Sequence, residues 1–326
     1  MPRIKPTQEG IVFALAVVLF AAFSLTLSNF LTPGNLIALV RSVAILGILG
    51  LGMGLVIIGR GIDLAMVATM VVSSSWVLAL ATHSDTSLGT ALMLGAVFVI
   101  LVGLISGVLV AYATVPPIFT TLAMGLVVYG IGRAWLFQVD VQNTPGNSRF
   151  FELLGRGTVL GIPMLIVAFG TLALVVWALL RWTRVGRFIY ATGDNPAAAR
   201  IAGVPLRLLM VGQYVATSLI AYLAGLVMAA ADSGMSTRVY NSTMIYDVLL
   251  VVVLGGIGLS GGRGGVRNVL VGTLLVGVLL NGMTINDIPY TLQNLIKSVI
   301  LLFAIIVDSI INPRDEQTAQ QEQGDI

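Results

Sequence analysis

The sequence predicts an all-α, polytopic membrane protein with about ten transmembrane helices, some of them broken or re-entrant. Three observations lead there. Hydrophobic residues make up 57% of the chain and charged residues 10%, with a mean hydropathy of +1.01; a soluble globular chain carries about 25% charged residues. The apolar residues gather into ten runs, each close to the roughly 20 residues needed to cross about 30 Å of hydrocarbon. The cations are also shared unequally between the segments that join those runs.

The runs lie near 11–31, 36–58, 62–82, 88–113, 116–138, 158–181, 207–231, 243–260, 265–285 and 290–311. The first is too long for a signal-peptide core and is not followed by a clear small-residue cleavage site, so it reads as an uncleaved helix. Runs 62–82 and 243–260 begin or end in glycine-rich sequence and are the candidates for broken or re-entrant segments. The loop 139–157, with Pro145 and Gly146 as turn residues, is the largest feature on its side. The spacings Gly50…Gly54 and Gly103…Gly107 suit close helix packing in lipid. No soluble domain fits: residues 1–312 read as one transmembrane domain. Residues 313–326, polar and without aromatics, read as a disordered tail.

Ten crossings put both termini on one side. Of the 17 Lys+Arg, eleven fall in segments on that side and three (Arg149, Arg156 and Arg238) in the opposite loops, while Arg41, Arg133 and Lys297 lie within runs. By the positive-inside rule both termini and the connection 181–207 face the cytoplasm. Cysteine is absent and His83 is the sole histidine, which excludes disulfides, thiol chemistry and a histidine-based metal site. No acid–base pair, nucleophile constellation or metal cluster stands out. Neither an enzyme nor a nucleic-acid-binding protein is indicated.

The connection 181–207 organises the chain. It is the longest polar interruption and holds Arg181, Arg184, Arg187, Arg200 and Arg207 with one carboxylate, Asp194. Asn195 suits an N-cap, Pro196 the first helical position, and Ala197, Ala198 and Ala199 propagate a helix. Gly203 then stops it, and Pro205 forbids resumption in the same register. The expectation is one short, doubly punctuated helix at the membrane surface, suited to docking rather than spanning.

Three further places carry polar groups against the apolar background. Gly59–Leu64 (GRGIDL) puts Arg60 and Asp63 where one helix hands over to the next. A carboxylate at mid-membrane costs about 2.5–3.5 kcal/mol on insertion scales; Asp63 reads either as a cap paired with Arg60 or as a gating or assembly residue. Gly255–Gly265 is the most glycine-dense stretch and contains the letters LSGG. Without a G-x-x-x-x-G-K-[ST] motif and with membrane helices on both flanks it reads as a tight turn, not an ATPase signature. Tyr246, Asp247, Asn281, Arg41, Arg133 and Lys297 lie near span ends, where such groups either snorkel to the interface or line a hydrophilic path.

The connection 181–207 resembles the membrane permease subunits of bacterial ATP-binding-cassette (ABC) importers for ribose and related monosaccharides, the branch that includes autoinducer-2 permeases. Their pattern T-x-x-G-R-x-x-Y-A-x-G-x-N-x-x-A-A-x-x-x-G is matched by Thr183, Gly186, Arg187, Tyr190, Ala191, Gly193, Asn195, Ala198, Ala199 and Gly203. Gly61 to Leu64, the set Asp247, Gly255 and Gly256, the run Gly261 to Gly264, and Asn281-Gly282 match further motifs, so the resemblance covers nearly the whole chain. It implies a multi-pass subunit of the bacterial inner membrane that binds no cofactor itself. Its implied partners are a separate ATPase that uses ATP, a second permease subunit (identical or paralogous), a periplasmic sugar-binding protein and the lipid bilayer. Pro196–Ala202 would be the coupling helix, with Arg187, Gly193, Asp194, Asn195, Ala198, Ala199, Arg200 and Gly203 at the ATPase. Arg60, Asp63, Tyr246, Asp247 and Asn281 would be candidates for gate or pore. The competing reading is an ion-coupled secondary sugar transporter, which would need ion ligands or proton carriers at mid-membrane.

Two departures stand out. The family continues Gly-Ile-Asp-Leu with Ser-Val-Gly, whereas this chain has Ala65, Met66 and Val67; after Gly-Gly-Arg-Gly-x-Val it has Asn268 and Val269 instead of small residues. Both suit a chain that works beside a more typical paralogous permease. The prediction from the sequence is that Ala198→Trp or Gly193→Pro uncouples transport while the protein stays in the membrane. Solute uptake by cells carrying each variant measures it, and wild-type uptake in both would refute the helix assignment.

Overall fold

A computed structural model describes residues 8–83, 86–137, 139–146 and 148–311; the segment 313–326, expected to be disordered, lies outside the described residues. Each apolar run forms a helix: α1 Gln8–Thr26, α2 Pro33–Ile58, α3 Met66–His83, α4 Leu88–Ala111, α5 Pro117–Ile131, α7 Met164–Trp182, α10 Leu206–Ala231, α11 Met244–Leu254, α12 Val266–Ile285 and α13 Tyr290–Ile311. Between them lie three short helices, α6 Arg149–Arg156, α8 Arg184–Asp194 and α9 Pro196–Ile201. Among the described residues eight helices are long and apolar enough to span a membrane, α5 by continuing to Leu136; α3 and α11 are shorter apolar helices. These two are the runs flagged by their flanking glycines. At about 1.5 Å per residue, the 11 residues of α11 cover roughly half of a 30 Å core.

The structure departs from the predicted runs where turn chemistry overrides hydropathy. Run 158–181 opens as a hairpin: β2 Thr158–Val159 pairs with β3 Ile162–Pro163. Its two central residues, Leu160 and Gly161, have φ of +52° and +80°, as a tight turn of this handedness requires. Run 116–138 ends in a π-helical turn, Gly132–Leu136, closed by Phe137 N–H on the Gly132 carbonyl at 3.1 Å. The loop 139–157 also carries structure: β1 Val141–Asn143 pairs antiparallel with β4 Gly234–Ser236, and α6 packs against the end of α10 through Gly155.

The connections sort to two ends of the bundle. At one end Arg60 meets Gly193, Gly262 meets Ile58, Tyr190 meets Gly264, and the Arg207 guanidinium sits 5.3 Å from the centre of the Tyr112 ring. At the other end β1 joins β4, Arg133 and Arg238 share Asp140, and Thr243 meets Tyr290. Ten helices that run alternately between the two ends produce this arrangement.

The core sits on α2, α3 and α10. Residues are buried at 72% of positions in the α10 span and 61% in α2, but at 6% in α1 and α13, so the last two are peripheral. Every residue from Ala65 to Ser75 is buried; Ser73 and Ser74 satisfy their hydroxyls on the Thr69 and Met70 carbonyls, each at 2.6 Å, one turn back. The spacing Gly103…Gly107 does pack helices: a Cβ at either position would stand 2.6 Å from a Cα of α10, Val215 or Val211. Gly103→Val is expected to destabilise the chain by about 1–3 kcal/mol through overpacking. Gly212→Ala, with no atom within 4 Å of its new Cβ, should be neutral or stabilising by up to ~1 kcal/mol. Thermal unfolding of the detergent-solubilised variants measures both.

Candidate functional site

The connection 181–207 folds into two helices where the sequence suggests one. Thr183 starts α8: its hydroxyl accepts the Gly186 N–H at 3.1 Å and donates to the Leu179 carbonyl at 2.6 Å. The resulting helix is amphipathic. Ile189 is buried (1% exposed), and the Tyr190 hydroxyl donates to the Gly264 carbonyl at 2.7 Å. Burial pushes this phenol above its ordinary value, so it stays a donor. The sequence signal for α8 was the Thr183…Gly186 cap ahead of Phe188 and Ile189, which the five arginines obscured.

The punctuation of α9 is as expected. The Asn195 Oδ1 accepts the Ala198 N–H at 2.9 Å, with Pro196 in the first turn. Gly203, at φ +81°, closes the other end: its N–H bonds the Arg200 carbonyl and Val204 N–H the Ala199 carbonyl, each at 3.0 Å. This is the paired closure that a left-handed residue after a helix permits. The outer face is where expectation needs correcting. Ala197, Ala198, Arg200 and Gly203 are exposed, but Ala199 is 4% exposed and turned into the bundle. Ile201, absent from the expected set, is 89% exposed. Arg187, Asp194 and Asn195 are exposed, while Gly193 is buried.

Three motifs that the sequence separates meet beneath α9. The Arg60 Nε and Nη2 donate to the Gly193 and Asp194 carbonyls at 2.8 and 2.9 Å. The Gly262 N–H donates to the Ile58 carbonyl at 2.8 Å. Gly193 lies in the seam, where a Cβ would run into the Ile58 carbonyl and stand 2.9 Å from the Gly262 Cα. Below the glycine turn, the Asp308 carboxylate accepts the Leu259 N–H at 3.2 Å.

The remaining candidates do not converge with one another. The expected Arg60–Asp63 pair does not form; the two side chains serve different partners. Asp63 is 3% exposed, accepting the Thr217 hydroxyl of α10 at 2.8 Å and the Ala65 N–H at 3.1 Å. It caps the entry to α3 and fastens it to α10. Asn281 exchanges two amide hydrogen bonds with Asn35, at 2.9 and 2.7 Å, tying α12 to the start of α2. Tyr246 is 57% exposed on the outside of the chain. Arg133 pairs with Asp140 at 2.7 Å, as a span-end arginine at an interface does. Among the described residues no group of three or more His, Cys, Asp or Glu could hold a metal ion.

Asp247 has a partner that the sequence reading did not join to it. The Lys297 Nζ of α13 lies 2.7 Å from its Oδ1 and 3.0 Å from its Oδ2. The ammonium also reaches the Thr243 hydroxyl at 3.0 Å, which in turn contacts Asn294 at 3.0 Å. With side chains 8% and 13% exposed, the pair holds α13 to the half-length α11. Opposite charges in two apolar runs, the eighth and the tenth, were the available signal. Lys297→Met should destabilise the chain by roughly 3–5 kcal/mol, because a buried carboxylate is left uncompensated, and adding Asp247→Leu should recover most of the loss. Thermal unfolding of both single variants and the double variant closes the cycle, and additive losses would show that the pair is not coupled.

Comparison with known proteins bears on the whole chain. Residues 35–305 match the family described as branched-chain amino acid transport system / permease component. The ribose import permease protein RbsC of Escherichia coli (strain K12) is 31% identical over 90% of this chain and 91% of its own. The L-arabinose ABC transporter permease protein AraH of Azospirillum brasilense is 35% identical over 92% and 87%. The galactofuranose transporter permease protein YtfT of Escherichia coli (strain K12) is 33% identical over 85% and 80%. No solved structure matches. Ten apolar helices, the doubly capped α9 and these matches together place the chain in the family of transport-system permease components.

Proposed function

We propose that this chain is the pore-forming permease subunit of an ABC importer for a monosaccharide-type solute, with α9 as the coupling helix that seats in a cleft of a separate ATPase. The observation that carries this reading is the presentation of α9. It is a six-residue helix, closed at both ends, with its exposed side turned away from the bundle and its base pinned by Arg60 and the glycine turn. A rigid projection transmits displacement; a floppy loop would absorb it. Ala197 and Ala198 permit close approach, Arg200 supplies a charge-assisted donor, and the exposed Ile201 is an apolar knob suited to a cleft. The sugar class comes from the names of the relatives, which are permeases for ribose, L-arabinose and galactofuranose.

Sidedness follows from charge. The end that gathers Arg60, Gly193 and the glycine turn also carries most of the cations, so it and both termini face the cytoplasm. The opposite end, with β1, β4 and α6, then receives solute from a periplasmic binding protein. A second permease subunit, identical or paralogous, completes the pore in the bacterial inner membrane, and ATP is used by the ATPase alone. The ion-coupled alternative finds little support: Asp247 is held by Lys297, and Asp63 by the Thr217 hydroxyl and the Ala65 N–H.

The test is ATP hydrolysis in nanodiscs by the complex of this chain with its ATPase and any paralogous permease, with and without the binding protein. The native chain is compared with one whose 193–203 segment is scrambled. Stimulation by the binding protein only with the native segment is the expected result. Failure of any ATPase to co-purify, with no effect of the scramble, would overturn the importer reading.

A further inference from the structure

The corner below α9 contains an anomaly at Arg60. Helix α2 closes as α9 does. Arg60 N–H bonds the Ile57 carbonyl at 2.9 Å and Gly61 N–H the Val56 carbonyl at 2.9 Å, so Arg60 occupies the left-handed position that Gly203 fills after α9. Its φ is +67°. A residue with a Cβ is strained there and glycine is the relaxed choice; Gly59 and Gly61 flank it on either side. Strain retained at one position points to something the side chain does.

What it does is finish α8. The Gly193 and Asp194 carbonyls belong to the last turn of that helix, where no following N–H of the helix reaches them and the dipole is negative. The guanidinium is a planar fork, and it donates one bond to each, at 2.8 and 2.9 Å. The next residue, Asn195, caps α9. On the other side of Arg60, Asp63 lies three residues on, fastened to Thr217 of α10 and capping α3. One side chain thus joins the residue before α9 to the hinge where α2 becomes the buried α3.

We propose that Arg60 is a positioning residue for coupling. Its guanidinium clasps the α8–α9 corner to the α2–α3 hinge, so that displacement of α9 is delivered to α3 and α10. This rests on α9 being the coupling helix, and the experiment separates the two statements. The chain has no cysteine, so Ala198→Cys carries a single spin label on α9. In nanodiscs holding the permease without an ATPase, Arg60→Gly should raise the mobility of that label, and Arg60→Lys, with one nitrogen in place of the fork, should raise it less.

In the cysteine-free complex, Arg60→Gly should lower binding-protein-stimulated hydrolysis roughly five- to tenfold, the size of a modest coupling between sites, while the ATPase still co-purifies and the melting temperature holds. A residue that only held the fold would lower the melting temperature and the ATPase co-purification along with stimulation. Unchanged label mobility together with wild-type stimulation overturns the clasp. So does a lower melting temperature with loss of the ATPase, which would make Arg60 a fold residue. If the native chain itself binds no ATPase, the coupling reading of α9 falls, while the label comparison still decides whether Arg60 holds the corner.

Discussion

A backbone inside or beside a bilayer has to satisfy its own hydrogen bonds, and this chain packs two irregular connections against each other, one after α2 and one after α11. Broken backbone is tolerated there only when protein covers it. Each break covers the other. The Gly262 N–H of the second break bonds the Ile58 carbonyl at the end of α2, at 2.8 Å, and glycine 261 lies so close to Arg60 that a Cβ would stand 2.6 Å from its Cγ. The α8 helix lies across both, with Gly193 in the seam and Tyr190 bonded to Gly264. Without the first break, Asp63 could not turn in to cap α3; without the second, α11 could not stop after 11 residues and hand over to α12.

This constraint also explains the distribution of burial. The start of α3 beside Ala65 and the end of α11 at Gly255 fall within protein and must be wrapped. Helix α10 packs along α3 and α2 along α11; these two are the most buried among the long helices, whereas α1 and α13 mainly present apolar side chains outward. The two carboxylates beside or within the short helices are paired. Asp63 is held by Thr217 and Asp247 by Lys297. Ionisable groups in a membrane bundle commonly mark a path for solute or ions; here both carboxylates join a short helix to a long neighbour.

The helices were legible because hydropathy over about 20 residues is a strong signal, and the caps of α9 because Asn195, Pro196 and Gly203 each have one physical use in that order. The hairpin at 158–163 was not legible, since Val159, Leu160 and Ile162 are as apolar as the helix that follows and only Gly161 and Pro163 speak against it. The α8 helix was hidden by its arginines. Partnership was the least readable property. Asn35 with Asn281 and Asp247 with Lys297 are pairs far apart in sequence, and one sequence holds no record of such distances. Arg60 and Asp63 are close in sequence and looked like a pair for that reason, yet the non-helical stretch between α2 and α3 sends them to different neighbours.

The two departures from the family pattern acquire a physical meaning in the fold. Met66 is fully buried, and its terminal methyl occupies the space beside Gly52 of α2: a Cβ there would stand 2.6 Å from it. A longer side chain at the entry of α3 is thus accommodated opposite a glycine. Asn268, 5% exposed, donates from Nδ2 to the Gly255 carbonyl at 2.7 Å. That carbonyl follows the last turn of α11 and has no helical N–H ahead of it, so the amide closes an end that a small residue would leave open. Val269 packs against Gly50 and Gly54 of α2, filling the groove that those glycines make. Larger side chains at these positions therefore fill the groove on α2 and close the open end of α11.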